Sequence, residues 1–443
     1  MPLSIPPLAA AHDLSGMNQD TTQQPLTIEG PTALPASVGG TGNELPRQRI
    51  EIELGSGLIK AVRPPEGSAD IVLSEEHVIL PGLIDVHVHA REDVTGQHAY
   101  KETFESAGRA ALHGGVTAFA EMPNNPAPPV DDATYEAKHA LADPTCAVDC
   151  LLYAGLGPNT EPLSRAVPYK AYMGQSVGDL FFSSDEQLRE ALKRYRGQRV
   201  AFHAESPEIL ARCKNQATHE RRRPPEAEWK AVDTALRLSG DLDIVPHICH
   251  LSTARGFELI QAARGRGLAA TCEVTPQHLF FDNENATGHA RPSFLQCNPP
   301  LRSAHDRATL LDAFIGGQIE YLGTDHAPHT LEENEIGISG MPHLDTYGNF
   351  LCWLREQGAS WATLRQACSE RPGVFLGRFL PERFGKIEAG FVGSLTILEL
   401  GDAVIERASV ESRAGWSPFE GIHFPGRVSH TIVRGKVFRN SPA

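Results

Sequence analysis

Asp85-Val86-His87-Val88-His89-Ala90-Arg91 closes an apolar run that begins at Leu83. His87 and His89 are two apart, so on a strand both imidazoles point to one face. Buried imidazoles without partners carry a desolvation cost. The spacing therefore reads as two ligands for one metal rather than as a pair of core histidines. Four further stretches repeat the arrangement. They are Tyr169-Lys170-Ala171-Tyr172-Met173-Gly174, Ala201-Phe202-His203-Ala204-Glu205, His247-Ile248-Cys249-His250 and Gly323-Thr324-Asp325-His326-Ala327-Pro328-His329. Each alone is weak. Together His87, His89, Lys170, His203, His250 and Asp325 supply four imidazoles, one amine and one carboxylate, a set suited to two-metal hydrolysis.

Working outward, apolar runs lie near 83–89, 116–122, 147–154, 168–173, 199–204, 243–251, 269–275 and 319–324. Helical patterns fall between them, such as Thr103–His113, Asp185–Tyr195, Arg255–Arg264 and Asp306–Ile315. This alternation predicts an α/β fold, a (β/α)8 TIM barrel over residues 81–385, with the ligand-type residues at the C-terminal strand ends where such barrels place catalysis. Short strands flank it on both sides, with period two in Arg49-Ile50-Glu51-Ile52-Glu53-Leu54 and apolar runs near 394–399 and 428–433. A small β-sandwich-like domain built from residues 46–80 and 386–443 is expected. Residues 1–45, rich in Pro, Gly, Thr, Gln and Ala, read as a flexible tail.

The chain of 443 residues carries 40 basic and 55 acidic side chains, a net charge of −15. No basic stripe appears, which argues against a nucleic-acid surface. An anionic substrate would need a local cationic pocket, and Arg91 is a candidate for it. The eight Cys form no CxxC pair and lie mostly in apolar runs, as expected of free thiols in a reducing compartment. No apolar run reaches the ~20 residues of a membrane span, and the first basic residue is Arg47, so a cytoplasmic location without membrane partners is expected. A homodimer is the expected assembly.

Taken singly, several of these residues leave alternatives open. Lys170 fits a snorkelling or carboxylate-paired lysine equally well. Beside two cations, however, an ammonium is repelled, whereas the carbamate formed from carbon dioxide and the amine could bridge them. A lone histidine such as His203 or His250 is usually structural, and only their places on successive barrel strands favour a ligand role. His247, three before His250, reads as structural. Imidazole, carboxylate and carbamate donors suit two Zn2+ ions, with Mn or Co as substitutes.

Pro81-Gly82-Leu83-Ile84-Asp85-Val86-His87-Val88-His89 resembles the opening signature of the amidohydrolase superfamily, and within it the chain resembles the dihydroorotases from about 50 to 437. The resemblance implies one metal on His87, His89 and Asp325, a second on His203 and His250, and a carboxylated Lys170 shared between them. Arg91, two after the second histidine, matches the dihydroorotase form. Met122-Pro123-Asn124-Asn125 resembles a carboxylate-holding segment through Asn124, and Asn298-Pro299-Pro300-Leu301-Arg302 a ring-contacting one through Asn298. His329 matches a substrate-binding histidine. His278 lies at a family-typical position, with support of the site and a purely structural role both open. Ser339–Thr346 resembles the substrate-closing loop, except that His343 stands where glycine is expected. Thr330–Pro342 is expected to form a lid.

The implied reaction interconverts N-carbamoyl-L-aspartate and (S)-dihydroorotate in pyrimidine biosynthesis. A hydroxide bridging the metals attacks the ring carbonyl, and Asp325 serves as general acid and base. The alternatives are a cyclic-ureide hydrolase, allantoinase or hydantoinase (dihydropyrimidinase), and, from another class, an inactive scaffold for aspartate transcarbamoylase. That enzyme is the protein partner the resemblance admits. Scaffolds of this kind lose metal ligands, and none of the six is missing here.

Overall fold

In the computed structural model, which describes residues 24–35, 43–174 and 180–440, the chain starts in a small β-domain. Strands β1 (Leu26–Pro31), β2 (Arg47–Glu53), β3 (Leu58–Arg63) and β4 (Ile71–Val72) form one sheet in the order β3-β2-β1-β4. Strand β5 (His77–Pro81) leaves for a second sheet.

Eight parallel strand positions follow. They are β6 (Leu83–Val88), β7 (Val116–Glu121), β8 (Asp149–Leu152) continued past Tyr153 as β9 (Ala154–Leu156), β10 (Tyr169–Tyr172), β11 (Arg199–His203), β12 (Val245–Ile248), β13 (Thr271–Val274) and β14 (Tyr321–Leu322). Every one coincides with an apolar run, because parallel strands covered on both faces need apolar side chains on both. The ladder runs β6-β7-β8 and β9 through β14. Tyr153 joins the two parts, where its N–H donates to Glu121 O (2.9 Å) and that of Ala154 to Pro168 O (2.9 Å). A parallel bridge between Val88 and His326 closes the ring. Ile84, Val86, Ala118, Ala120, Leu151 and Ala201 form a core cluster drawn from four of these strands. The expected helices are present, one of them over Phe104–His113 with Thr103 as cap in a reciprocal capping box with Ser106.

The chain ends in β15 (Leu395–Val404), β16 (His423–Val433) and β17 (Lys436–Arg439), which with β5 make the sheet β17-β16-β15-β5. Leu395 faces Pro81 and Ile397 faces Ile79 in an antiparallel ladder, so the sheet joins both ends of the chain. Ile28, Ile50 and Ile52 of the first sheet share a buried cluster with Ile79, Ile397 and Ile432 of the second.

The expected free tail needs correction. Residues 1–23 and 36–42 lie outside the described residues, but Leu26–Pro31 is not a tail. It is β1, a central strand, paired antiparallel with β2 from Leu26↔Ile52 to Pro31↔Arg47 and parallel with β4. Ile28 is fully buried. A chain beginning at residue 35 should therefore melt about 5 °C or more below the full-length protein, since losing β1 splits the sheet and removes a core isoleucine. An unchanged melting curve would show that β1 adds nothing to stability.

Candidate metal centre and substrate cavity

Five strands, β6, β10, β11, β12 and β14, and the turns after them deliver the ligand-type residues. Three of these residues leave their strands with φ in the left-handed region: Arg91 (62°), His250 (35°) and Asp325 (48°). Non-glycine residues avoid this region unless the surroundings hold them there, and such strain gathers at functional sites. Here it follows the close of the strand and re-aims the next side chain.

His87 Nε2 and His89 Nε2 converge on Asp325 Oδ1 at 3.3 and 3.1 Å. The ligand atoms of these three residues all lie within 4.8 Å of one another, a geometry that could hold a metal ion. The His250 ring stands 5.3 Å from His87 and 4.6 Å from His203, centroid to centroid. Lys170 is fully buried at this place, and its Nζ donates to Cys249 Sγ at 2.8 Å. No carboxylate lies within salt-bridge reach of that ammonium among the described residues. Burial, with the Lys170 charge next, pushes His87 down to about 4. Burial and the neighbouring cations also hold His250 well below the usual imidazole range, so these rings are neutral, as metal ligands must be. Burial raises Asp325 above the ordinary carboxylate value, although His87 and Lys170 oppose it.

Glu273, which the sequence reading passed over, organises this cluster. His87 Nδ1–H donates to its Oε1, and His247 Nε2–H to Oε2 at 2.9 Å. The His250 backbone N–H also donates to Oε1, at 3.0 Å. This fixes the His87 tautomer with Nε2 free toward Asp325, as second partners of metal-bound histidines do. The signal in the sequence is a lone carboxylate inside the apolar run 269–275, which burial permits only with partners. His203 is held likewise: its Nε2–H donates to Glu205 Oε2 at 2.8 Å, and Arg223 contacts the same oxygen. Although burial works against it, Arg223 and His203 hold Glu205 down at about 2.

Above these residues opens a cavity of about 570 Å3, whose lining includes His87, His89, His203, His250 and Asp325 together with Arg91, Asn124, Asn298 and His329. Lys170 sits within the wall. Arg91 is buried, its Nη2 donates to His329 Nε2 at 3.3 Å, and its Nε has no partner. The amide oxygens of Asn124 and Asn298 are also buried and unpartnered. His329 is held from behind, where Nδ1–H donates to Glu333 Oε2 at 3.1 Å, and Glu333 also pairs with Lys101 at 2.9 Å. Burial, with Arg91 and Lys101, brings His329 down to about 3, so it is a neutral ring. Asp325 is the single carboxylate among the described lining residues, against Arg91, Lys101, Arg222 and Arg223.

His278 does not reach the cavity. Its Nε2–H donates to Pro299 O at 3.0 Å and its Nδ1 accepts from Thr275 Oγ1 at 2.8 Å, so it holds the segment that carries Asn298. Part of the segment expected to form a lid lines the cavity, through Gly337–Gly340; Gly340 N–H donates to Gln296 O at 2.9 Å and Asn334 Nδ2–H to Gly340 O at 3.1 Å. His343 N–H donates to His326 Nδ1 at 3.1 Å, while the His343 ring is buried, 5.4 Å from that of Phe419 and without a hydrogen-bond partner.

The sequence matches the amidohydrolase family over residues 78–438. It is 34% identical over 390 residues to a dihydroorotase of Pyrococcus furiosus, covering 88% of each chain. It is 31% identical over 417 residues to an allantoinase of Rubrobacter xylanophilus, covering 87% of this chain and 90% of that one. In structure it resembles the L-hydantoinase (dihydropyrimidinase) of Arthrobacter aurescens, with a TM-score of 0.84 at 25% identity over 95% and 97% of the two chains. The converging imidazoles and carboxylate at the mouth of the barrel, together with these matches over most of the chain, lead to one conclusion: this protein belongs to the amidohydrolase family.

Proposed function

We propose that this protein interconverts N-carbamoyl-L-aspartate and (S)-dihydroorotate, the dihydroorotase reaction. The observation that carries this reading is Arg91, a buried guanidinium with no carboxylate partner among the described residues, opening on a cavity with a cationic wall. A charged group left this way in a dry site calls for an anionic ligand, and a planar fork suits a carboxylate. Dihydroorotate has that carboxylate. Dihydrouracil, hydantoin and allantoin do not. Asn124 shares the carboxylate with Arg91, His329 orients it, and the unpartnered oxygen of Asn298 accepts from a ring N–H.

Two divalent ions, zinc by the chemistry of the donors, suit this residue set. His87, His89 and Asp325 would hold one, His203 and His250 the other, and Lys170, as a carbamate, would serve both. The buried ammonium of Lys170, with a thiol and no carboxylate beside it, is costly as it stands. Its carbamate would turn that cost into a bidentate anionic ligand. The bound ions supply an acidified water at neutral pH and polarise the attacked carbonyl. Asp325 takes the proton from that water and passes it to the ring nitrogen as the C–N bond breaks. In the synthetic direction the ureido nitrogen loses its proton, closes on the carboxyl carbon and releases water. Ring closure consumes a proton, so lower pH favours dihydroorotate.

The relatives also include an allantoinase and a hydantoinase, so a panel of four ureides decides the matter. At saturating metal, the wild-type protein should turn over dihydroorotate in strong preference to allantoin, hydantoin and dihydrouracil. Arg91→Met should keep its metals and lose about 3 kcal/mol or more in kcat/KM for dihydroorotate. Faster turnover of allantoin or hydantoin by wild type would overturn the dihydroorotase reading and leave the amidohydrolase family untouched. A second expectation concerns Glu273. Glu273→Gln should weaken retention of metal against a chelator about 10- to 100-fold, measured by elemental analysis. Full retention would remove Glu273 from the metal site.

A further inference from the structure

Behind the cavity wall lies a charge pair that the chemistry above does not use. Glu121 ends β7, and Lys138 reaches it from the helix Asp132–Ala142, with Nζ 2.6 Å from Oε2. Both side chains are buried. That helix buries only three residues, Tyr135, Lys138 and Ala142, so a lysine is one of its few inward anchors. Lys138 Nζ also donates to Asn125 Oδ1, and to Met122 O at 3.5 Å. One ammonium thus gathers Glu121, Met122 and Asn125, the residues around Asn124.

A buried ion pair seldom stabilises a fold more than apolar side chains of the same volume would, so stability alone gives no reason for this one. Its neighbour does. Glu121 is paired with Val88 across β6 and β7, and Met122 N–H donates to Val88 O at 2.8 Å, so Glu121 stands beside the strand end that leads into Arg91; among the described residues the two do not form an ion pair. In a low-dielectric wall a carboxylate without a partner is drawn strongly to the nearest cation. If Glu121 reached Arg91, it would occupy the fork that a substrate carboxylate needs.

We propose that Lys138 is a positioning residue that keeps Arg91 available to substrate. It tethers Glu121 away from the guanidinium and pins the Asn124 segment beside it. Glu121 then acts as a counter-charge at a distance, easing the burial of Arg91 without taking its N–H groups. This rests on the assignment of Arg91 to a substrate carboxylate.

The test is a mutant cycle with dihydroorotate as substrate, metal content measured throughout, and a crystal structure of Lys138→Met. Lys138→Met should raise KM about 10-fold or more, with kcat within about 3-fold and metal content unchanged. Glu121→Gln combined with Lys138→Met removes both charges and should return KM to within about 3-fold of wild type, a strong non-additivity. The crystal structure should show the Glu121 carboxylate moved onto Arg91. Equal impairment of the single and double variants would reduce the pair to a structural role and overturn the proposal, as would an unchanged KM or an unmoved Glu121. Should Lys138→Met fail to fold, Lys138→Gln keeps a hydrogen-bond donor without the charge, and the same rise in KM is expected. If wild type turns over no carboxylated ring, the substrate reading fails separately, and the position of Glu121 in the variant still decides whether Lys138 restrains it.

Discussion

Asp85 holds the seam on which the site depends. The first and last barrel strands meet over one bridge, Val88 with His326, and one flanking bond from His89 N–H to His326 O at 2.9 Å. The rest of the seam is made by a side chain. Asp85 Oδ1 accepts from the backbone N–H of His87 and of Thr324, each at 3.0 Å, and Oδ2 accepts from the Thr324 hydroxyl. This carboxylate therefore ties the residue that precedes Asp325 to one of the histidines that faces it. Burial pushes Asp85 up to about 7 against three bonds that favour the charged form. That link adds to the bridge in fixing the convergence of His87, His89 and Asp325 within 4.8 Å.

The same economy runs through the wall. Glu273 joins His87, His247 and the backbone of His250; Glu205 joins His203 to Arg223; Glu333 joins His329 to Lys101. Each of these three carboxylates is met from at least two sides, which offsets the cost of withdrawing its charge from water. Among the buried polar atoms without a partner, the Arg91 Nε and the amide oxygens of Asn124 and Asn298 belong to residues that line the cavity.

Much of this was legible in the sequence, for physical reasons. Barrel strands buried on both faces must be apolar, so all eight stood out, and a histidine or aspartate closing such a run is conspicuous. Strand β1 was missed because its six residues, Leu26-Thr27-Ile28-Glu29-Gly30-Pro31, lie within a Pro- and Gly-rich stretch, and only a two-residue alternation of Leu26 and Ile28 marks it. Glu273 is legible only as a carboxylate between Cys272 and Val274, which has to find partners inside. Lys138 was beyond reach, since on a polar helix a lysine looks like any solvated one, and its inward turn exists only in three dimensions. The left-handed turns at Arg91, His250 and Asp325 were equally hidden, because none is a glycine.

The proposed centre takes six residues from five strands and joins two metal ions through a modified lysine. The most direct measurement is anomalous diffraction at a zinc edge from crystals of protein purified without chelator. The account predicts two peaks in the cavity, one beside His87, His89 and Asp325 and one beside His203 and His250, with branched density extending Lys170 Nζ between them. A single peak, or two peaks with an unmodified Lys170 ammonium still on Cys249, would contradict it.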